Sequence, residues 1–494
     1  MKLQTLIRGL PVLEIRGDPD PEVSGLCSDS RKFQAGQIFV AIKGLQHDGH
    51  RFLSKAAQTG ATALVVEDRE SIPDNFTGTT IVVKESRHAL DKMAANYFGH
   101  PSDAVFMVGV TGTNGKTTTT YMIEAILNKG VGPTGVIGTI DYHLGTDVKS
   151  SKHTTPDALD LQETLEGWRK SGAKAVAMEV SSHALSQGRA DSVSFDAAVF
   201  TNLTRDHLDF HGTMEEYRLA KAYLFSHLLE GSKKKSKRAV INLDDEAAKY
   251  MMPPHVPTWT FGFDHGDVSA ENLKLGFDGS TFDVKTPMGK FSGCLQMVGR
   301  HNVANALAAI GVGLHAGLPF TMISQALEQL TGVRGRLQRV TSKSEVRCFV
   351  DYAHTDDALL NVLNFIHTLR NQTSPKARIV TVFGCGGDRD KGKRPLMLKA
   401  AQKYSDLIVV TSDNPRTENP SQIIKDILSE SAGSPAKNTL VEIDRRKAIE
   451  LALEKALPGD VVLIAGKGHE DYQILGTEKI PFDDVKIAKE ILDS

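Results

Sequence analysis

An apolar run, Val105-Phe106-Met107-Val108-Gly109-Val110, leads directly into Thr-Gly-Thr-Asn-Gly-Lys-Thr-Thr at residues 111–118. From Thr117 to about Asn128, the residues Met122, Ala125 and Ile126 recur at helical spacing. Strand, tight glycine turn and helix start, in that order, predict a local α/β unit and a phosphate cradle. Backbone N–H groups of Gly112, Thr113, Asn114, Gly115 and Thr118 and the helix N-terminus face an anion, Lys116 supplies a cation, and the Thr117 hydroxyl can reach Mg²⁺. The strict phosphate-loop pattern wants glycine at 110 and finds Val110. The flanks point to a nucleoside triphosphate site.

At 494 residues the chain has room for about three domains. Residues 1–101 carry short strands (37–42, 63–66, 80–83) and a helix over 87–98, and His100-Pro101 breaks the pattern. Residues 102–335 alternate strands and helices, and the runs 173–180, 197–202 and 239–242 predict buried parallel strands. Residues 336–494 are the most regular. Strands over 377–383, 406–411 and 460–465 each lead into a loop, which predicts a doubly wound, Rossmann-like parallel sheet. The fold class expected is therefore α/β in three parts: a small α/β domain, a central phosphate-loop domain with a parallel sheet, and a doubly wound C-terminal domain.

Composition narrows the function. A net charge of −2 argues against a general nucleic-acid or membrane binder. The basic cluster 233–238 lies between a Gly-Ser pair and a strand, where an exposed connection is expected. Cys27, Cys294, Cys348 and Cys385 lie far apart without metal-ligand spacing, as suits reduced thiols. Arg8, Pro11, Glu14 and Arg16 interrupt any leader-like apolar run, and no stretch reaches the ~18 apolar residues of a membrane span. A cytoplasmic protein is expected.

Loops that follow parallel strands gather at one sheet edge, where such folds bind ligands. In the C-terminal part they are Gly384-Cys-Gly-Gly-Asp-Arg389, Ser412-Asp-Asn-Pro-Arg416 and Gly466-Lys-Gly-His-Glu470. They lack the dinucleotide-binding glycine spacing. They present Arg389 and Arg416 with Asp413 and Glu470, a mixture suited to a zwitterion such as an amino acid, or equally to a salt-bridge network between loops. In the central part, Glu179 ends a strand where an acidic partner for Mg²⁺ belongs. His207 and His211 are spaced like a zinc pair but lack a third ligand at convincing spacing. Lys221, read alone, is a helix-surface lysine.

Seven motifs in order carry a resemblance that spans essentially the whole chain. They are Thr-Gly-Thr-Asn-Gly-Lys-Thr (111–117), Glu-Val-Ser-Ser-His (179–183), Asn-Leu-Thr-Arg-Asp-His-Leu-Asp-Phe-His (202–211), Gly-Arg-His-Asn-Val-Ala-Asn-Ala (299–306), Gly-Arg-Leu-Gln (335–338), Asp-Tyr-Ala-His-Thr (351–355) and Asp-Asn-Pro-Arg (413–416). The chain resembles the ATP-dependent Mur ligases of peptidoglycan precursor biosynthesis, and among them the UDP-N-acetylmuramoyl-tripeptide synthetases. The resemblance implies an amide-bond ligase. It would join meso-2,6-diaminopimelate to the γ-carboxylate of D-glutamate in UDP-N-acetylmuramoyl-L-alanyl-D-glutamate, with ATP as co-substrate and Mg²⁺ as cofactor. A lysine-adding counterpart and a folylpolyglutamate synthase-like ligase are the alternatives. It further implies a monomer that works on small molecules, with no nucleic-acid or membrane partner.

Residue roles follow from the resemblance position by position. Lys116, Glu179, His207 and a carbamylated Lys221 are expected in catalysis, and Thr117, Glu179, His207 and Lys221 in metal placement. The 112–118 loop, Asn302, Asn305, Arg336 and Asp351 are expected at ATP. Without the family, Asn302 and Asn305 read as helix caps or surface residues. Ser30, Leu45, Gln46 and His47 match a uridine pocket, and Ser28 is expected in it although it stands where the family has an apolar residue. Thr154, Thr155, Ser181, Gln187 and Arg189 match the muramoyl-dipeptide positions, and His153 is expected beside them although it stands where asparagine is common. Arg389, Asp413, Asn414, Pro415, Arg416, Gly466 and Glu470 match the diaminopimelate site, Arg416 being the residue that lysine-adding relatives usually lack. A site drawn from three domains implies closure, with 332–336 near the hinge.

Overall fold

The computed structural model describes residues 1–44, 47–429 and 438–494. The chain divides into two compact units. Unit 1 comprises Met1–Glu271, Val284–Phe291 and Ala304–Ala326, and unit 2 comprises Asn272–Asp283, Ser292–Val303 and Leu327–Ser494.

Unit 1 begins with β1 (Val12–Arg16), β2 (Leu26–Cys27), β3 (Ile38–Val40), β4 (Ala63–Val66) and β5 (Thr79–Val83), in sheet order β1-β5-β4-β3-β2. β3, β4 and β5 are buried along their whole length, the pattern of strands covered on both faces. The helix Ser86–Phe98 packs Leu90, Met93 and Ala94 into this core and stops at Gly99, which adopts the left-handed conformation at φ 72°.

The second sheet of unit 1 holds β6 (Phe106–Thr111), β7 (Thr134–Ile137), β8 (Asp141–Leu144), β9 (Asp147–Ser150), β10 (Ala175–Glu179), β11 (Ala197–Phe200), β12 (Arg238–Asn242) and β13 (Thr258–Phe263). Their order is β13-β12-β11-β6-β10-β7-β8-β9, parallel from β13 to β7 and antiparallel beyond. β6 lies between β10 and β11, so the phosphate loop that leaves β6 is flanked by the segments leaving those two strands. β14 (Val268–Gly276), β15 (Gly279–Thr286) and β16 (Gly289–Leu295) continue the sheet in chain order and are divided between the units. The basic connection is only partly free: Lys234 pairs with Asp196 at 3.0 Å.

Unit 2 carries β17 (Gln338–Arg339), β18 (Arg347–Asp351), β19 (Ile379–Cys385), β20 (Leu407–Ser412), β21 (Thr439–Val441) and β22 (Val461–Ala465). The order is β17-β18-β22-β19-β20-β21, parallel except for the edge strand β17. Helices Asp356–Thr373, Lys393–Tyr404 and Pro420–Ile427 share one core with the sheet, and Arg445–Lys455 with Asp484–Asp493 shares another. This is the doubly wound sheet expected from the strand–loop–helix alternation. The loops after β19, β20 and β22 leave neighbouring strands, which is what brings three separate stretches of sequence together. A short hairpin, β23 (Tyr472–Leu475) and β24 (Glu478–Pro481), follows.

Candidate active site

β6 runs on through Thr111, so Val110 is a buried strand residue and the turn opens only at Gly112. That register explains why a valine stands where the strict pattern has glycine. Gly112 sits at φ 149°, and a Cβ there would lie 1.9 Å from Thr201 Oγ1. Gly115 sits at φ 85°, and its Cβ would lie 2.4 Å from Asn305 Oδ1. Both positions therefore need glycine, on backbone and on space. The helix Lys116–Gly130 starts immediately after.

The segment leaving β11 braces the loop. The Asn114 N–H donates to Asn202 Oδ1 at 2.8 Å, and the Thr201 hydroxyl donates to the Asn114 carbonyl at 2.6 Å. Thr204 N–H donates to Thr113 Oγ1 at 3.0 Å, and the Tyr217 hydroxyl lies 3.1 Å from the same oxygen. Lys116 Nζ donates to the carbonyls of Gly112 and Thr113 at 2.9 and 2.8 Å. Lys221 Nζ reaches the same Gly112 carbonyl at 2.9 Å and lies 4.3 Å from the centre of the Tyr217 ring.

Lys221 is thus a buried residue, 1% exposed, and the surface reading of this helix lysine is corrected. The helix Met214–Tyr223 passes into a wider turn, Leu224–Leu229, whose apolar residues hold this face inward. Burial, reinforced by the Lys116 cation and opposed by Asp206, pushes the Lys221 ammonium well below its ordinary range.

Glu179, at the end of β10, is fully buried. Its Oε1 accepts from Thr139 N–H at 2.8 Å and its Oε2 from the Thr139 hydroxyl at 3.1 Å. Thr154 Oγ1 lies 3.1 Å from Thr139 Oγ1. Thr155 donates its hydroxyl to the Glu179 carbonyl at 2.8 Å and accepts from Ser181 N–H at 3.0 Å. Arg189 donates to the Thr155 carbonyl at 2.9 Å and to Gln187 Oε1 at 2.7 Å. Thr139, Thr154, Thr155, Ser181, Arg189 and Gln187 therefore form one hydrogen-bonded network with Glu179. His153 is exposed beside it, its carbonyl held by the Tyr142 hydroxyl.

His207 is exposed at φ 52°, with its ring 4.8 Å from that of His183 and 6.1 Å from that of Tyr217. His211 Nε2 lies 2.9 Å from Ser182 Oγ, and burial with a nearby His183 takes its pKa down to about 4. Among the described residues no group of three His, Cys, Asp or Glu side chains is arranged to hold a metal. Asn305 is buried, its Oδ1 accepting from the Thr119 hydroxyl at 3.2 Å, so it is neither a cap nor a surface residue. Ser28 and Ser30 are half-buried after β2 and His47 is exposed, while Leu45 and Gln46 lie outside the described residues.

A second cluster on the phosphate-loop helix had no signature in the sequence. His143 on β8 lies 2.6 Å from Asp141 Oδ1 through Nδ1 and 3.0 Å from Glu124 Oε1 through Nε2. The Tyr121 hydroxyl donates to Asp141 Oδ1 at 3.2 Å. Burial disfavours the imidazolium, yet the two carboxylates outweigh it and raise the His143 pKa to about 9.

In unit 2, Asn302 is buried, with Nδ2 donating to the Val298 carbonyl at 2.8 Å. The Arg336 guanidinium lies 5.8 Å from the Tyr352 ring centre. Asp351 accepts from Leu337 N–H at 2.6 Å and Ala353 N–H at 2.9 Å, and burial pushes its carboxyl above the usual range against those bonds.

The three loops of the sheet edge come together around two glycines. A Cβ at Gly386 would lie 3.0 Å from Arg416 Nη1 and 3.7 Å from Arg389 Cγ. A Cβ at Gly466 would lie 2.7 Å from Asp413 Oδ2. Pro415 and Asn414 are buried between them, and Asn414 Nδ2 donates to Glu470 Oε2 at 2.8 Å. Arg416 donates to the Gly387 carbonyl at 2.8 Å and Arg389 to the Asp388 carbonyl at 3.2 Å. Neither guanidinium meets a carboxylate among the described residues, so the loop-to-loop salt-bridge reading does not describe these two arginines. Glu418 on the same loop is taken by Arg394 at 2.9 Å.

Two groups behind this pocket went unassigned from sequence. Arg445 and Asp484, both fully buried, pair at 2.7 Å, and Arg445 also donates to the carbonyls of Ser412 and Ala465, the last residues of β20 and β22. Lys467 is fully buried as well, with Nζ 3.0 Å from Glu470 Oε2. Its place within Gly466-Lys-Gly-His-Glu470 was visible; its inward direction was not.

Comparison with known proteins now places the chain. Three family descriptions match along it: Mur ligase family, catalytic domain, over residues 22–98; Mur ligase middle domain over 110–313; and Mur ligase, glutamate ligase domain, over 335–468. A UDP-N-acetylmuramoyl-L-alanyl-D-glutamate--2,6-diaminopimelate ligase from Geobacter sulfurreducens is 45% identical over 98% of this chain and 97% of its own length. The chain belongs to the Mur ligase family. A ligase of the same name from Listeria monocytogenes is 43% identical to this Mur ligase, again over 98% of the chain and 97% of the relative. A solved structure of a UDP-N-acetylmuramoyl-L-alanyl-D-glutamate--2,6-diaminopimelate ligase aligns with this Mur ligase at a TM-score of 0.69 and 34% identity, covering 95% of this chain and 94% of that one. Among the described residues no helix of this Mur ligase is long and apolar enough to cross a membrane.

Proposed function

We propose that this Mur ligase uses ATP to join meso-2,6-diaminopimelate to the γ-carboxylate of D-glutamate in UDP-N-acetylmuramoyl-L-alanyl-D-glutamate, as a cytoplasmic, monomeric enzyme of three functional domains, 1–101, 102–335 and 336–494. The observation that carries the choice of amino acid is the pair Arg389 and Arg416, which flank Gly386 with no carboxylate partner among the described residues. Asp413 meets Gly466, and Glu470 accepts from Asn414 of the same loop as Arg416. Two guanidiniums fit a ligand with an extra carboxylate. A lysine would leave one guanidinium without a carboxylate partner. The names of the relatives support the same reading, and the three separate family matches support the domain division.

The first step brings two anions together. The γ-carboxylate oxygen attacks the γ-phosphorus, the bond to the β-phosphate oxygen breaks, and ADP leaves with an acyl phosphate formed. Lys116 and the loop N–H groups at the helix start offset the repulsion. Thr154, Thr155, Ser181, Gln187 and Arg189 hold the dipeptide, and the path they make to Glu179 ties substrate position to the phosphate site. In the second step the uncharged amine of diaminopimelate attacks the acyl carbon, phosphate leaves with its oxygen, and the nitrogen gives up a proton.

The donor set fits Mg²⁺. The Thr117 hydroxyl and the Glu179 carboxylate are hard oxygen ligands, and each Glu179 oxygen takes a single hydrogen bond among the described residues, which leaves lone pairs available. When bound, Mg²⁺ supplies charge neutralisation at the triphosphate. Lys221 becomes a ligand only as a carbamate. Its depressed pKa favours the neutral amine that adds to CO₂, and with His207 it would serve a second ion.

ADP release by the purified chain, with the uridine-linked dipeptide and each of diaminopimelate, lysine and glutamate, tests the reading. Diaminopimelate is expected to drive turnover. Equal ADP release with no amino acid present refutes it.

A further inference from the structure

Lys467 is a fully buried ammonium in a loop that otherwise supplies a glycine and a carboxylate to the amino-acid pocket. Its Nζ donates to Glu470 Oε2 at 3.0 Å and to Asn414 Oδ1 at 3.3 Å. The Asn414 amide has only one workable orientation. Its oxygen also accepts from Ile474 N–H at 2.9 Å, and its nitrogen donates to Glu470 Oε2 at 2.8 Å. One Glu470 oxygen is therefore held by an ammonium and an amide, and its partner oxygen takes no hydrogen bond among the described residues.

The charge in the pocket follows from these pairings. Arg389, Arg416 and Lys467 stand against Asp413 and Glu470, a surplus of one positive charge. Of the neighbouring ions, Arg445 is neutralised by Asp484, and Arg394 together with Lys391 balances Glu418 and Asp426. Asp388 keeps its charge, but it is exposed and turned to the Thr417 N–H and hydroxyl, where solvent screens it. Diaminopimelate with its attacking amine uncharged carries two carboxylates and one ammonium, a net charge of −1. Lysine in the same reactive form carries one of each, a net charge of zero. The surplus matches the first and not the second.

We propose that Lys467 is a specificity-determining residue. By neutralising Glu470 it sets the pocket charge to that of a reactive diamino dicarboxylate. Without it, Glu470 stands as an uncompensated carboxylate and the pocket matches a diamino monocarboxylate better. The effect comes from charge balance acting through Glu470, so Lys467 is a positioning residue that need not touch the substrate.

This inference rests on the proposed reaction, and the experiment separates the two. Full-length wild type, Lys467→Met and Lys467→Arg are given ATP, the uridine-linked dipeptide and equimolar diaminopimelate and lysine, and the two tripeptide products are counted by mass spectrometry. Lys467→Met is expected to lower the diaminopimelate-to-lysine product ratio by about tenfold or more, the scale of a single charge mismatch in a recognition site. KM for ATP should stay within about twofold, and Lys467→Arg should keep the wild-type ratio. A fall in both products at constant ratio assigns Lys467 to loop stability alone and overturns the proposal. Should Lys467→Met fail to melt cooperatively, Glu470→Gln shifts the same charge the opposite way and must raise the ratio; an unchanged ratio overturns the proposal too. A wild type that makes neither product refutes the ligase reaction itself, a result distinct from either.

Discussion

Lys116 and Lys221 donate to one and the same carbonyl oxygen, that of Gly112, each at 2.9 Å. Two lysine nitrogens converge on one acceptor, and burial with the neighbouring Lys116 cation already disfavours a charge on Lys221. Conversion of Lys221 to a carbamate turns repulsion into attraction and places an anion beside the phosphate-loop lysine. Wild-type activity should fall in CO₂-free buffer and return with bicarbonate. Lys221→Met should lose about 10²–10³-fold in kcat, the scale of removing one charge-stabilising group, and should not respond to bicarbonate. A ¹³C-bicarbonate NMR spectrum with no carbamate resonance in the wild type would refute the modification.

Gly115 faces Asn305 so closely that a methyl group has no place to go. Gly115→Ala should raise the Kd for ATP by about tenfold or more, because a left-handed residue acquires a Cβ that also displaces the asparagine. Asn305→Ala should restore part of that loss by clearing the space. Isothermal titration with a non-hydrolysable ATP analogue measures both, and an additive double variant contradicts the steric account.

Arg416 stands at φ 50°, a conformation that asparagine tolerates better than alanine. Arg416→Asn therefore removes the guanidinium with the least backbone disturbance. KM for diaminopimelate should rise by about 10²-fold, the cost of losing a charge-assisted carboxylate contact, while KM for ATP stays within about twofold. Equal losses on both substrates would place Arg416 outside the amino-acid site.

His143 links the phosphate-loop helix to β8 as a cation between Asp141 and Glu124. Its folded pKa, about 9, lies above the value near 6.5 of the unfolded chain. The stability it contributes is therefore complete below about pH 6.5 and is lost as pH rises through about 9. His143→Gln should be less stable than wild type by about 2 kcal/mol at pH 6, with the gap closing by pH 10. Thermal melts across that range decide it, and a gap independent of pH would mean that packing rather than charge is lost.

Much of this protein is legible in its sequence because the informative patterns are local. Strand, glycine turn and helix are consecutive in 105–130, and the alternation over 377–465 gives a parallel sheet whose loops share an edge. Motif order brought out the family. Val110 shows the limit of a pattern: its side chain is a buried strand residue, and the turn begins two residues later. Asn305 shows another, since its partner Thr119 lies 186 positions away and no spacing on its own helix reveals that contact.

The direction in which a charged side chain points was decided by tertiary structure alone. Lys221 and Lys467 have the same composition as any surface lysine. They are buried because apolar faces elsewhere in the chain close over them, and because a carbonyl or a carboxylate waits inside to receive the ammonium. Sequence determined which elements form and which loops meet, through periodicities of two and 3.6 residues that each segment carries within itself. Packing determined which of the charges on those loops are paired and which remain for a ligand, since pairing depends on approaches between residues remote in the chain.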